Sequence, residues 1–171
     1  YRALAYRGGA RRELGDYENA LVDLNRASEL RPDSYWTLVE RAMVYEGLDN
    51  PEAAIADYTA ALEIEPDYEW AYWNRAWTYY DLLDEPDLAI DDLKSALRLR
   101  PDWGRALWLR SEIYFEIWED EKAIADAEAN LNSDMPHYSG DSHYVLGIIY
   151  YDLGRNEDAI TELTAYLESD D

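Results

Sequence analysis

The sequence predicts an all-α fold, an α-solenoid of about five helix-turn-helix repeats. A Pro-Asp pair recurs at Pro32, Pro66 and Pro101, which are 34 and 35 residues apart. An alanine recurs at one fixed point of every copy, and two helical stretches occupy each copy. A period of this length is typical of proteins that stack supersecondary units side by side.

The composition narrows the classes of function. The 171 residues are 48% hydrophobic, which is enough to bury a core, and they carry a formal net charge of -23. That charge excludes a nucleic-acid binder working through a basic patch, and it argues against docking on anionic lipid. No apolar run approaches the roughly 18 residues of a membrane-spanning helix. The absence of cysteine excludes a disulfide framework, a thiolate metal site and a cysteine nucleophile.

The closing prolines, taken as position 32 of each copy, set the repeat boundaries. They predict one solenoid domain over residues 1–171, with repeats at 1–34, 35–68, 69–103, 104–139 and 140–171. Repeat three carries one extra residue near Leu83 to Glu85, and a short insertion precedes repeat five. Because the chain opens at Tyr1 rather than at methionine, we expect a fragment of a longer protein. Its compartment stays unknown, with the cytoplasm favoured.

Each copy predicts two helices that approach closely. In repeat two, apolar residues at helical spacing predict helices over Trp36 to Leu48 and Glu52 to Ile64, with Asn50 and Pro51 as the start signals of the second. An acidic residue at position 18 of every copy suits the positive end of that second helix. Small side chains let helices approach, and position 20 is always alanine, at Ala20, Ala54, Ala89, Ala123 and Ala159.

These columns resemble the tetratricopeptide repeat family. The clearest stretches are Leu14-Gly15-Asp16-Tyr17 with Ala20, and Leu146-Gly147 through Tyr150 to Leu153-Gly154 with Ala159-Ile160. The resemblance covers essentially the whole chain. It implies antiparallel helix pairs stacked in a right-handed superhelix with a concave groove.

Two charged columns change together. Position 7 is arginine and position 23 is aspartate in the first four copies, whereas the fifth has Leu146 and Glu162. The arginines could form a row that grips an acidic ligand, or each could tie two helices together through a carboxylate. The joint change of both columns favours the tie, for which the planar guanidinium is well suited. The pairs are Arg7 and Asp23, Arg41 and Asp57, Arg75 and Asp92, and Arg110 and Asp126.

The resemblance also implies which residues face the groove, namely positions 2, 5, 9, 12 and 13 of each first helix. In repeat three these positions hold three tryptophans at i, i+3 and i+7, on one helix face. Tyr72, Ala76, Tyr79 and Leu82 are expected to fill the core side, which makes the tryptophans a candidate recognition surface; packing between repeats is the alternative. The candidate ligand-binding residues are Trp36, Trp70, Trp73, Trp77, Tyr80, Asp81, Trp108, Glu112, Phe115, Tyr144 and Tyr151.

The charge around this groove predicts the sign of the ligand. Residues 111–171 hold 16 acidic residues against the basic residues Lys122 and Arg155. A neutral or basic peptide fits such a surface, although acidity that only maintains solubility is the alternative.

Family members that bind chaperone carboxylates use cationic residues at positions 2 and 6. Here only Arg2, Asn74 and Arg105 match in type, so we do not expect that clamp.

One segment contains the side-chain types of an active site. His137, Ser139, Asp141, Ser142 and His143 lie within seven residues, in what we expect to be a linker. A working triad needs separately oriented side chains and an oxyanion hole. A metal set of Asp134, His137 and His143 lacks a helical pair of histidines at i and i+4. We therefore expect no enzyme, no cofactor and no metal.

The sequence thus predicts a protein-interaction scaffold that binds a protein or peptide segment. We expect neither nucleic acid nor a membrane among its partners. The alternative is a structural assembly module, because repeat arrays need polar end caps and neither end of this array shows one. End-to-end self-association would follow from that alternative.

Overall fold

The computed structural model describes residues 1–133 and 136–169, and helices dominate this part of the chain. Ten α-helices and no strands occur within it. Consecutive helices pack against each other in pairs, and the predicted all-α repeat fold is confirmed. The helices are Arg2–Glu13 (α1), Tyr17–Leu30 (α2), Tyr35–Gly47 (α3), Pro51–Ile64 (α4), Glu69–Trp77 (α5), Pro86–Leu99 (α6), Gly104–Glu116 (α7), Asp120–Leu131 (α8), Ser139–Asp152 (α9) and Asn156–Glu168 (α10).

The helices form two compact units, residues 1–95 and residues 96–171. In the first unit α1 packs on α2 and α3 on α4, while α2 contacts α3 and α4 contacts α5. In the second unit α7 packs on α8, α9 packs on α10, and α8 joins the two pairs. Each pair therefore buries its apolar face against the next pair within its unit. The single domain over residues 1–171 stays a prediction.

Small residues lie where the helices contact each other. All five position-20 alanines are buried. Gly8 shows why bulk is excluded, because a Cβ there would lie 2.6 Å from Cγ of Leu24. The acidic residues at position 18 lie in the first turns of the second helices, as expected. In repeat two, Asn50 accepts a hydrogen bond from the amide of Ala53, which caps α4.

Every turn inside a repeat uses the same backbone geometry. The residue at position 15 has positive φ in all five copies, and the next amide donates to the carbonyl of position 11 in each of them. This hydrogen bond is typical of a helix C-terminus at which the chain continues through a residue with positive φ. The position-15 residues are Gly15, Asp49, Asp84, Trp118 and Gly154.

Repeat three closes differently. Residues Thr78–Leu82 form a π-helical turn directly after α5. The amide of Glu85 consequently donates to the carbonyl of Tyr79, at 2.9 Å, across one more residue than in the other repeats. The extra residue predicted near Leu83 to Glu85 is thus accommodated earlier, inside the helix. Leu82, which was expected in the core, is 36% exposed, and the equivalent Leu14 and Leu153 are 85% and 57% exposed, so the expectation for Leu82 was wrong.

The prediction of a linker through His143 was wrong, because α9 already begins at Ser139. Buried Asn130 explains this start. Its amide donates to the His137 carbonyl at 2.7 Å and to the Ser142 hydroxyl at 3.0 Å, and it accepts from the His137 amide at 3.0 Å. These bonds hold the first turn of α9 against α8. Asp134 lies outside the described residues.

Candidate functional site

The repeated arginines and aspartates form the predicted helix-to-helix ties. In each of the four pairs, Nε and Nη2 of the arginine donate to the two carboxylate oxygens at 2.6–2.7 Å. The fifth repeat substitutes another pair, His143 Nδ1 and Glu162 Oε2 at 2.6 Å, beside buried Leu146. The arginines therefore hold helices together rather than forming a row of cations for a ligand.

The three tryptophans of α5 form a continuous row, as their spacing predicted. Ring centroids of Trp70 and Trp73 lie 6.3 Å apart in an edge-on contact. Those of Trp73 and Trp77 lie 5.8 Å apart with an interplanar angle of 22°. Trp70 is 36% exposed and the other two are half-buried. The core side of the same helix is served by the small residues Ala71 and Ala76, both fully buried.

Other candidate aromatics form separate clusters. In the first unit the rings of Trp36 and Tyr6 lie 5.0 Å apart. In the second unit Trp108 contacts Tyr138, with ring centroids 4.6 Å apart. Phe115 and Tyr144 lie 6.5 Å apart, and the ring of Tyr144 also lies 5.3 Å from that of Tyr166. Tyr151, on the same helix as Tyr144, is 65% exposed.

Glu112 is a strongly perturbed carboxylate of the second unit. Its Oε1 atom is buried and accepts no hydrogen bond from the described residues. Burial raises the pKa of Glu112 to about 7, and the carboxylates of Asp141 and Glu116 act in the same direction. The side chain therefore takes up or releases a proton near neutral pH.

A cavity of about 330 Å³ opens in the first unit beside the last tryptophan of the row. Four helices and the π-turn contribute to its wall: the end of α1, the start of α2, the end of α3, and the end of α5 with the π-turn that follows it. A Cβ at Gly47 would collide with the ring of Tyr17, so glycine permits that ring to lie against α3. The lining residues are Arg12, Tyr17, Met43, Glu46, Gly47, Trp77, Asp81 and Leu82.

Glu46 is the half-buried carboxylate of this cavity. Its Oε1 accepts hydrogen bonds from the hydroxyls of Tyr58, at 3.0 Å, and Thr78, at 2.5 Å. Burial raises the pKa of Glu46, and the nearby Asp81 adds to the shift. Thr78 and Tyr58, together with Arg12, oppose it. The π-turn supplies Thr78, Asp81 and Leu82, so the extra residue of repeat three helps to shape the cavity.

Two models of a single repeat family match the sequence. A model described as tetratricopeptide repeat matches residues 1–34 and 140–171, and one described as TPR repeat matches residues 50–82. The chain belongs to the tetratricopeptide repeat family. No curated protein matches it significantly.

Solved tetratricopeptide repeat structures share this fold. MamA from Desulfovibrio magneticus RS-1 has 17% identity and a TM-score of 0.84, with 98% of this chain and 93% of that chain covered. YrrB, titled a TPR protein with an unusual peptide-binding site, has 18% identity and a TM-score of 0.78, covering 96% and 84%. The first TPR of Spaghetti (RPAP3), bound to the HSP90 peptide SRMEEVD, has 22% identity and a TM-score of 0.64, covering 68% and 91%. These identities establish the fold alone.

The side chains once considered for catalysis have separate partners in this tetratricopeptide repeat protein. Ser142 is fully buried and bonded to Asn130, whereas His143 lies against Glu162. The ring of His137 contacts those of Trp108 and Tyr138. Within residues 1–133 and 136–169, no three His, Cys, Asp or Glu side chains gather as metal ligands. No helix in those ranges has the length and apolar character to cross a bilayer.

Of the residues that line the cavity, only Trp77 and Asp81 are among the sequence-predicted candidates. Met43, Glu46 and Gly47 occupy groove positions of repeat two, whereas Tyr17 and Leu82 occupy none. Arg12 occupies position 12 of repeat one, a groove position whose signal was available in the register. Thr78 occupies no groove position. Its one visible signal was the extra residue in repeat three, whose location within the turn the residue count leaves open.

Proposed function

We propose that this protein is a non-enzymatic scaffold that binds a peptide or protein segment of neutral to basic character. The tryptophan row on α5 carries the proposal. Three large rings lie in mutual contact on one helix face while small alanines serve the core face. Tryptophan buries much apolar area with few rotatable bonds, and for that reason it dominates recognition surfaces.

Charge supports a basic or neutral partner. The chain carries a formal net charge of -23, and exposed Asp81 follows the tryptophan row on the π-turn. A field of this sign accelerates the encounter with cationic segments and repels acidic ones. Binding should therefore weaken as added salt shortens the Debye length.

Two structural relatives add a further argument. YrrB and the first TPR of Spaghetti are described as peptide-binding, and both share this fold. The acidic peptide SRMEEVD bound by the latter differs in charge from the ligand proposed here.

Trp108, Glu112, Phe115, Tyr144 and Tyr151 of the second unit are proposed as additional contacts, in two ring clusters and one exposed tyrosine.

The test is a peptide array probed with the whole chain, using basic, neutral and acidic sequences of equal length. We expect basic and neutral peptides to be captured, and Trp70→Ala to weaken capture roughly tenfold or more. Val22→Ser is the matched control, since Val22 is exposed on α2 of the same unit. Capture that Trp70→Ala leaves unchanged, with circular dichroism showing folded protein, would contradict the proposed surface.

The terminal helix favours a second candidate function, structural assembly. Ile160 and Leu167 lie seven residues apart on α10 and are both largely exposed, so they share a helix face. Sedimentation at several concentrations tests this function. Self-association that survives Trp73→Ala but is lost in Leu167→Lys would support assembly, whereas a monomer at all concentrations would exclude end-to-end association of this chain.

A further inference from the structure

The cavity beside the tryptophan row has the chemistry of a side-chain pocket. We infer that it binds one arginine side chain of the captured segment, so that the scaffold selects a basic residue at a single position. This inference rests on the proposed function and assigns a specificity site within it. Three observations support it: the cavity itself, the carboxylates of Glu46 and Asp81 in its lining, and the indole of Trp77 beside them.

The size of the cavity suits one side chain. Its volume of about 330 Å³ lies at the lower end of the roughly 300–1,000 Å³ of ligand pockets. Tyr17, Met43 and Trp77 supply apolar wall for the methylene groups of an arginine. Glu46 and Asp81 supply acceptors for the guanidinium. An arginine buries its stem along such walls while its charged head meets polar atoms.

The charge of the lining favours a cation despite the presence of Arg12. That guanidinium is already balanced, because it donates to Glu40 at 3.2 Å and to Glu13 at 2.6 Å. Both carboxylates line the cavity, and Asp81 adds to the burial that raises the pKa of Glu46. A cation bound beside them would favour the ionised form of Glu46. An acidic side chain would add to the repulsion instead.

The protein uses the same combination of groups internally. Cζ of Arg75 lies 5.9 Å from the ring centroid of Tyr72 while its nitrogens bind Asp92. Arg110 lies 5.9 Å from the ring of Tyr114 while it binds Asp126. An arginine held by a carboxylate against an aromatic face is therefore a geometry that this fold accommodates. Tryptophan is the best aromatic partner for a cation.

The π-turn distinguishes this cavity from the equivalent point of other repeats. It directs Thr78 onto Glu46, which fixes the half-buried carboxylate, and it places Asp81 and Leu82 on the wall. Single π-turns inside α-helices occur frequently at functional sites. The extra residue of repeat three thus contributes directly to the pocket.

The experiment uses blocked single amino acids as probes of the whole chain. N-acetyl-arginine methylamide is titrated while NMR follows the Trp77 indole N–H and the Met43 methyl group. N-acetyl-citrulline methylamide is the neutral control of the same shape, and N-acetyl-glutamate methylamide is the acidic one. We expect saturable shifts at both reporters with arginine, and binding roughly tenfold weaker with citrulline. No saturation by the glutamate probe is expected.

Two variants separate this inference from the proposed function. Asp81→Asn should weaken arginine-probe binding while capture of uncharged peptides persists. Trp70→Ala should weaken peptide capture roughly tenfold or more and leave the arginine probe bound. Equal affinity for arginine and citrulline, or shifts unaffected by Asp81→Asn, would overturn the arginine pocket without touching the scaffold. If Asp81→Asn impairs folding, Leu82→Ala provides a second cavity variant, and unaltered probe affinity in it would likewise overturn the inference.

Discussion

Arg75 binds both carboxylate oxygens of Asp92, from Nε and Nη2, at 2.7 Å each. Its remaining nitrogen, Nη1, donates to the hydroxyl of Thr59 at 2.7 Å. One guanidinium therefore joins α5 to α6 of its own repeat and to α4 of the preceding one. Arg41 repeats this arrangement with Asp57 and, at 3.1 Å, with Asn25. Thr59 and Asn25 occupy the same repeat position, so the tie links neighbouring repeats as well as paired helices.

Replacing Arg75 by methionine should lower stability more than it alters partner binding. Burial raises the pKa of Asp92, and the bonds from Arg75 oppose that shift. Removing Arg75 leaves a buried carboxylate without its cation, which costs about 3 kcal/mol in comparable pairs. Urea denaturation of Arg75→Met measures this loss, and the peptide array measures binding.

Arg7→Met is the control for that substitution. The Arg7 side chain is 58% exposed, and Asp23 keeps a second bond from Arg11 at 2.5 Å. We expect a much smaller loss of stability than in Arg75→Met, because an exposed ion pair is screened by solvent and Arg11 still binds Asp23. Unchanged melting of Arg75→Met together with abolished binding would reverse the assignment and make Arg75 a ligand contact.

The features that the sequence predicted well are those that recur with its period. The arginine of position 7 and the aspartate of position 23 meet inside one repeat, so their spacing reports the contact directly. The tryptophan row follows from helical geometry alone, since i, i+3 and i+7 share a face. Such relationships need no knowledge of the neighbouring repeat.

The features that escaped prediction depend on one copy departing from the others. From the sequence, the extra residue of repeat three could lie anywhere in its turn. The contact between Thr78 and Glu46 shows that it is accommodated as a π-helical turn. Asn130 stands at a repeat position where the first three repeats have alanine. In the sequence this change suggests only that the repeat pattern is lost at that position. In the structure its amide organises the start of α9.

Asn130→Ala should destabilise the protein although alanine is the residue that the first three repeats carry at that position. The substitution removes three hydrogen bonds from a fully buried side chain. We expect a loss of about 2 kcal/mol in the free energy of unfolding, from groups left unsatisfied in the interior. Thermal and urea denaturation measure it.

Asn132→Ala provides the comparison for Asn130. Asn132 is exposed and donates to the carbonyl of Glu128 at 2.7 Å, where water can replace it. A change within about 0.5 kcal/mol is expected. If Asn130→Ala left the free energy of unfolding unchanged, the start of α9 would not depend on the Asn130 amide.

Trp118→Gly should stabilise the protein. Trp118 is left-handed with a φ of 63°, while Gly15 and Gly154 occupy the same turn position at 74°. Bulky residues are strained in that region, and the ring is 82% exposed, so little packing is lost. We expect a gain of about 1 kcal/mol in urea denaturation. Trp118→Ala, which keeps a Cβ, should recover little of it, and equal gains in both variants would assign the effect to the ring instead.

Glu112 should give the stability of the protein a distinct pH dependence. Its pKa rises from the ordinary 4.5 to about 7 on folding, through burial first and then through Asp141 and Glu116. Between these two values the folded chain holds a proton that the unfolded chain has released. The free energy of unfolding therefore falls as the pH rises from 4.5 to 7, and the contribution of this group is constant above 7.

The variant Glu112→Gln isolates this effect because it removes the titration and keeps the shape. We expect Glu112→Gln to exceed the original protein in stability by up to about 3 kcal/mol above pH 7. The difference should shrink towards zero as the pH falls to 4.5, since the original side chain is then neutral in both states. Urea denaturation across this range measures it, with the exposed Glu121→Gln as a control of equal charge change. A stability difference that stays constant across the range would show that Glu112 is ionised within the folded protein.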